Sequence, residues 1–230
     1  MSPLTYFTDF NSLIERKIYE FVSVKENGDV GLNPPPSEEN HGHEQGWYSF
    51  LNINNNDIPD MVIVGTVISS ENYGEAYVLI DNELKYRFDT GQAGTRKILI
   101  GDIDNNGSDD AVLVATGIDT QPYSGSPTQI IYFTPNSYEF VNLDDDPSYY
   151  HTGGIGDLNN DGLLDVGGAP GQWYENENKW SIKVFMQKQN MQFENRDIIF
   201  DYNETGHSLP FTLGFADLFG DEYEYLYKKY

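Results

Sequence analysis

The chain of 230 residues carries 37 acidic and 13 basic side chains, a formal net charge of −24, with 38% hydrophobic and 14% aromatic residues. That length buries a substantial core and that apolar content excludes disorder, while the charge repels nucleic acid and anionic membrane and makes cations the natural counter-species. With no cysteine there is neither a disulfide framework nor a thiolate metal site.

The chain opens on MSPLTYFTDFNS, without the basic and apolar regions of a secretion leader, and no later apolar run reaches membrane-spanning length, so membrane insertion is not expected. Asn11 to Glu20 is one of two helix candidates, overlapping a short strand expected over Ile18 to Val24; another strand is expected near Val30. GLNPPPSEENHGHEQG, residues 31 to 46, is Pro-rich and acidic without periodicity and reads as a surface loop. His41 and His43, set among Glu38, Glu39 and Glu44, read as part of that loop rather than as a zinc or nickel site, since no third histidine lies near.

A repeat begins at residue 50. FLNINNNDIPDMVIVGT (50 to 66), IGDIDNNGSDDAVLVATG (100 to 117) and IGDLNNDGLLDVGGAPG (155 to 171) superimpose without a gap, each an apolar strand, a polar loop and an apolar strand. Their loops start at Asn52, Asp102 and Asp157, a spacing of 50 and 55 residues, in the range of stacked or radially arranged units. A fourth copy begins at Asp217 with little of the polar pattern, and a weaker fifth surrounds Asp9.

Between the loops lie short strand signals, β-branched, aromatic or alternating: Glu75 to Ile80, Leu84 to Phe88, Gln129 to Phe133, Tyr138 to Leu143, Gln172 to Tyr174, Ser181 to Met186 and Asp197 to Phe200. Lys188 to Asn195 is the second helix candidate. Each repeat thus supplies about four strands, a loop-bearing pair and a hairpin, which is the unit of a propeller blade. The fold class expected is all-β: a small propeller of four blades, alternatively five, forming one domain over residues 1 to 230. Its units cover about 46 to 90, 93 to 146 and 148 to 204, with a composite closing blade built from 211 to 230 and 1 to 30. Closure across the termini removes exposed edges; an open array completed by a second copy of the chain is the alternative.

Numbered from its first polar residue, the second loop offers oxygen donors at positions 1, 3, 5, 7 and 9: Asp102, Asp104, Asn106, the Ser108 carbonyl and Asp110, with Gly107 at position 6 for the tight turn. The third offers Asp157, Asn159, Asp161, the Leu163 carbonyl and Asp165, with Gly162 at the turn. Hard oxygens alternating around one centre match Ca²⁺ chemistry, and position 9 is expected to coordinate directly. The first loop has Asn52, Asn54, Asn56, the Ile58 carbonyl and Asp60, with Asp57 in the glycine place; one carboxylate against three predicts weaker binding. Asx-rich turns capping their own backbone are the competing explanation for one such loop. Three in register, two of them with three carboxylates that repel unless neutralised, favour a cation.

The frame from Ile155 to Gly171 resembles the FG-GAP or VCBS-type repeat of integrin α-subunit propellers and many bacterial surface proteins, lectins and toxin subunits. Ile155-Gly156 takes the FG place, Gly168-Ala169-Pro170 is a literal GAP, and Thr116-Gly117 and Gly65-Thr66 stand there in the other copies. The resemblance implies a calcium-stabilised propeller, commonly of about seven blades, used for adhesion or recognition at a cell surface or outside the cell rather than for catalysis. At the repeat spacing seen here the chain is too short for seven units.

No nucleophile elbow, phosphate loop, dinucleotide fingerprint or metalloprotease motif appears. Trp173, Tyr174 and Trp180 offer stacking faces for a sugar, with Trp47 and Tyr48 in a parallel role, although interblade packing also uses aromatics. The sequence therefore reads as a non-catalytic, Ca²⁺-binding module for a protein or carbohydrate ligand. A polysaccharide-acting enzyme and a structural assembly subunit are the alternatives.

Overall fold

In a computed structural model, the structure describes residues 22–24, 30–32, 45–66, 74–118, 124–144, 149–170, 179–201, 212–216 and 225–229. The fold is all-β. The first four-stranded antiparallel sheet comprises β3 (Gln45–Leu51), β4 (Asp60–Thr66), β5 (Glu75–Ile80) and β6 (Glu83–Asp89), in chain order. The second comprises β7 (Thr95–Gly101), β8 (Asp110–Ala115), β9 (Gln129–Thr134) and β10 (Ser137–Asn142); the third, β11 (Tyr150–Gly156), β12 (Asp165–Pro170), β13 (Lys179–Lys188) and β14 (Gln192–Asp201). In every sheet the repeated polar loop joins the first two strands and a tight turn joins the last two. Asp81 and Asn82 make the first of these turns at φ 51° and 67°, the left-handed pair that suits a two-residue hairpin.

The sheets stack face to face, which is why their middle strands are continuous apolar runs. The two faces of β8 and β9 show the arrangement. Ala111, Leu113, Ile131 and Phe133 pack on Val62, Val64, Val78 and Ile80 of the first sheet. Their neighbours Val112, Val114, Ile130 and Tyr132 pack on Tyr150, Val166 and Phe185 of the third. Each fully buried large side chain contributes about 1.5–3 kcal/mol of transfer free energy, so the stack is held by its alternating residues. The fourth strands are the wet edges, β10 being exposed or half-exposed along its whole length.

The first strands lie side by side, β3 against β7 and β7 against β11, and β11 against β15 (Thr212–Ala216). Lys97 of β7 ties three of them together, its ammonium donating to the carbonyls of Gly153 at 2.7 Å and Leu213 at 3.3 Å. Burial there pushes the Lys97 amine below its ordinary value.

Three expectations change. The composite closing blade does not form among the described residues: β1 (Val22–Val24) pairs with β2 (Val30–Leu32), and β15 pairs with β16 (Tyr225–Lys229), as separate two-stranded sheets. Pairing neighbours along the chain carries a far smaller loop-closure cost than joining the two ends. Thus three complete sheets stand where four or five blades were expected, and no closed ring is seen among the described residues. Nor is Lys188 to Asn195 a helix. It is the end of β13, a single 3₁₀ turn at Gln189–Met191, and the start of β14, whose ten-residue strands pair in register from Lys179↔Asp201 to Lys188↔Gln192. Pairing along this hairpin, whose first strand carries Ile182, Val184 and Phe185, overrides the helix preference there. The helix expected at Asn11 to Glu20, the weak copy at Asp9 and the strand at Gln172 to Tyr174 lie outside the described residues. β2 and β3 take up the ends of the 31 to 46 segment, Gly31 and Leu32 on one side and Gln45 and Gly46 on the other.

Candidate metal centre

The three loops share one frame, built upward from position 2. Ile53, Ile103 and Leu158 point into the stack, the first two with no exposure at all, and this anchor turns positions 1, 3 and 5 outward. Position 4 is a left-handed asparagine in every copy, Asn55, Asn105 and Asn160, at φ 55° to 56°. Gly107 and Gly162 follow at φ 90° and 83°, but Asp57 of the first loop does not take that conformation, so its left-handed residue is Asn55 alone.

Position 9 is a buried staple. In each copy one carboxylate oxygen accepts the position 2 amide, Ile53 to Asp60 at 2.8 Å, Ile103 to Asp110 at 2.9 Å and Leu158 to Asp165 at 3.0 Å. The other oxygen accepts an amide from the third strand or its turn, from Asp81 at 3.0 Å, Phe133 at 2.8 Å and Gln187 at 2.8 Å. All three carboxyls are wholly buried. Burial is the main cause that raises their pKa, with Asp110 reaching about 7, and these amide bonds only partly oppose it. Nearby Asp104 adds to the rise at Asp110, and Asp161 and Asp157 to that at Asp165. A sequence reader sees position 9 as a ligand; its geometry also makes it the joint between loop and sheet.

In the second loop Asp102 accepts the amides of Asn106 and Gly107 at 3.0 and 2.9 Å, and Asn106 accepts that of Ser108 at 2.6 Å. The third repeats this, Asp157 accepting from Asp161 and Gly162 at 3.1 and 2.7 Å, and Asp161 from Leu163 at 3.0 Å. Each position 3 oxygen, on Asp104 or Asn159, accepts the position 5 amide. Such bonds are those of Asx turns, and they leave lone pairs on the same oxygens free for a further partner. Asp102, Asp104 and Asp110 bring one oxygen each within 4.8 Å of one another, and no other acidic or histidine trio among the described residues converges so closely.

The first loop differs. Asn52 donates its side-chain amide to the Asn56 carbonyl at 3.1 Å, while Asn56 accepts from the amide of Ile58 at 2.7 Å. The buried side-chain oxygens of Asn52 and Asn54 have no hydrogen-bond partner. An open cavity of about 320 Å³ adjoins it, lined by Phe50, Asn52, Asn56, Asp57, Pro59 and Asp109.

Two residues missed by the spacing contribute here. Asp81 accepts the side-chain amides of Asn54 and Asn56 at 3.0 and 2.6 Å, and Asp109 accepts the backbone amide of Asn52 at 2.7 Å. Ser108, expected from the spacing to offer its carbonyl, also donates its hydroxyl to the Ile53 carbonyl at 2.6 Å. The Asp-Asn pair at 81 and 82 signals a hairpin, but nothing in the sequence says that its carboxylate reaches back to the loop. Among the aromatic candidates, Trp47 and Tyr48 are exposed at 41% and 45%. Trp180 lies on β13, and Trp173 and Tyr174 lie outside the described residues. No protein-family model matches the chain, and no curated protein matches it.

Proposed function

We propose that the chain is a non-catalytic, calcium-binding module of propeller type, whose blade loops take Ca²⁺ and whose outer surface recognises a protein or glycan. The observation that carries the cation reading is the convergence of Asp102, Asp104 and Asp110, with one oxygen of each within 4.8 Å of the others. Carboxylates gathered so closely and partly buried repel one another, and a divalent ion among them reverses the local field and supplies partners for the remaining lone pairs. The residues fit the ion in chemistry, hard oxygens without sulfur or nitrogen ligands. Asp102, Asp104, Asn106, the Ser108 carbonyl and Asp110 would hold it in the second loop; Asp157, Asn159, Asp161, the Leu163 carbonyl and Asp165 would do so in the third.

The ion's part is structural. Position 9 already joins each loop to the third strand or its turn, so a cation at the loop clamps three consecutive strands of a blade. The recognition part is supported by exposed Trp47 and Tyr48, the latter edge-on to Phe50 with ring centroids 5.8 Å apart, an arrangement suited to stacking on a sugar or an apolar side chain. Calorimetric titration of metal-free protein with CaCl₂, with MgCl₂ as comparison, tests the cation reading. Saturable calcium uptake at the loops is expected, and absence of uptake overturns it. A glycan and peptide array probed with calcium-loaded protein tests the recognition reading, which fails if a Trp47→Ala variant retains every signal.

A further inference from the structure

We propose that Asp81, which lies outside all three repeated loops, orients the amides of the first loop and completes it as a cation site. This rests on the calcium reading above. By its own residues the first loop is the poorest of the three, with amides at positions 1, 3 and 5 where each of the others carries two carboxylates and one amide. An amide is a useful ligand only through its oxygen; its nitrogen, turned inward, would repel the ion.

Asp81 settles which end turns inward. Its carboxylate is an acceptor, and it takes the side-chain N–H groups of Asn54 at 3.0 Å and Asn56 at 2.6 Å, one on each oxygen. The carbonyl oxygen of each amide therefore faces away from Asp81. The same outer carboxylate brings negative charge beside a loop whose only ligand carboxylate is Asp60, and Asp60 in turn accepts the backbone amide of Asp81. Outer groups that fix the orientation of ligands in this way commonly change metal affinity by about 10- to 100-fold when removed.

An independent observation points to the missing ligand. The side-chain oxygens of Asn52 and Asn54 are buried and meet no donor. Their counterparts on Asp102, Asp104, Asp157 and Asn159 all accept loop amides, so the deficiency belongs to the first loop. Buried oxygens without a donor are costly, and a cation supplies what they lack. The hairpin explains how Asp81 is kept in place: its φ of 51° belongs to a left-handed turn that Asp and Asn both adopt.

Asp81→Asn therefore preserves shape and turn while replacing the acceptor with a mixed amide, and Asp81→Gly removes the side chain in a conformation glycine also accepts. The experiment follows backbone amide resonances of all three loops during CaCl₂ titration of the full chain by heteronuclear NMR. For the wild type, residues 54 to 58 are expected to shift with calcium, as are 104 to 108 and 159 to 163. In both variants the midpoint at the first loop is expected to rise at least about tenfold, with the other two unchanged. A first-loop midpoint unchanged in both variants, equal weakening of all three loops, or a wild-type first loop silent while the others respond, overturns the role of Asp81 alone. A wild type in which no loop responds overturns the calcium reading itself.

Discussion

The backbone of Asn52 is held on both sides by Asp109: the Asn52 amide donates to the Asp109 carboxylate at 2.7 Å, and the Asp109 amide donates to the Asn52 carbonyl at 2.9 Å. The start of the first loop is thus fastened to the end of the second across the seam between two sheets. In the third loop the corresponding residue is Leu164, which packs over Gly101 instead. Asp109→Ala leaves a partly buried N–H without its acceptor, and a loss of about 1–3 kcal/mol in urea unfolding is expected. Asp109→Asn keeps an acceptor oxygen and should lose less. Wild-type stability in the alanine variant would show that the seam is held by its apolar contacts alone.

Asp144 is a buried carboxyl outside the three repeated loops. Asp144 accepts from the Tyr150 hydroxyl at 2.9 Å and the Thr128 amide at 3.1 Å, yet burial outweighs both and raises its pKa. A folded value above the unfolded one, about 3.9, means that the native state holds the proton more tightly. The contribution of this group is therefore complete below about pH 4 and is lost as pH rises through the raised value. Asp144→Asn removes that dependence while keeping an acceptor for Thr128 and a donor for the tyrosine oxygen. Measured in EGTA, its melting temperature should exceed that of the wild type at pH 7, and the gap should close toward pH 4. A gap independent of pH would refute the assignment.

Gly168, first of the Gly-Ala-Pro tripeptide, has a packing reason to be glycine. A Cβ there would lie 2.6 Å from a ring carbon of Tyr150, which is itself fully buried. Gly168→Ala should cost about 1–3 kcal/mol through overpacking. In a Tyr150→Ala background the same change should cost little, because the obstructing ring is gone. Additive losses in that cycle would place the strain elsewhere.

What the sequence disclosed follows from period and spacing. Positions 1, 3, 5 and 9 of each loop were legible because an apolar anchor at position 2 and the strand beyond fix their direction, and both features are written locally. The loop-bearing pair followed by a hairpin was legible for the same reason. Contacts made across long separations were not: Asp81 meets Asn54 and Asn56 through a hairpin, and Asp109 meets Asn52 across two sheets. Neither bond has a periodic signature. The closing blade is expected because residues 211 to 230 have room for only a loop-bearing pair and N-terminal strands are free to complete it; repeat spacing does not name the strands that meet, and local pairing of β1 with β2 and β15 with β16 answers differently. At Lys188 to Asn195, polar residues suited to a helix lie at a turn between two strands whose pairing governs the backbone.

The charge of Asp104 is expected to reverse its effect on stability when calcium binds. Asp104 contributes to the raised pKa of Asp110, so in metal-free protein its carboxylate works against ionisation of a buried neighbour. Asp104→Asn removes that repulsion and keeps an oxygen for the Asn106 backbone amide now bonded at 3.1 Å; it gives up the exposed bond from the Asn106 side-chain amide at 3.0 Å, whose nitrogen also donates to the Phe133 carbonyl. In EGTA its melting temperature should therefore equal or exceed that of the wild type. With calcium the order inverts, because the same carboxylate becomes a ligand. At a free concentration of 100 times Kd an occupied site stabilises the fold by about 2.7 kcal/mol, and a site made 100-fold weaker retains only about 0.4 kcal/mol at that concentration. Scanning calorimetry of both proteins in EGTA and in excess CaCl₂ reads the crossing directly. If Asp104→Asn gains as much from calcium as the wild type does, the charge of Asp104 adds nothing to ion binding; if it is equally destabilised in both conditions, Asp104 serves only its hydrogen bonds.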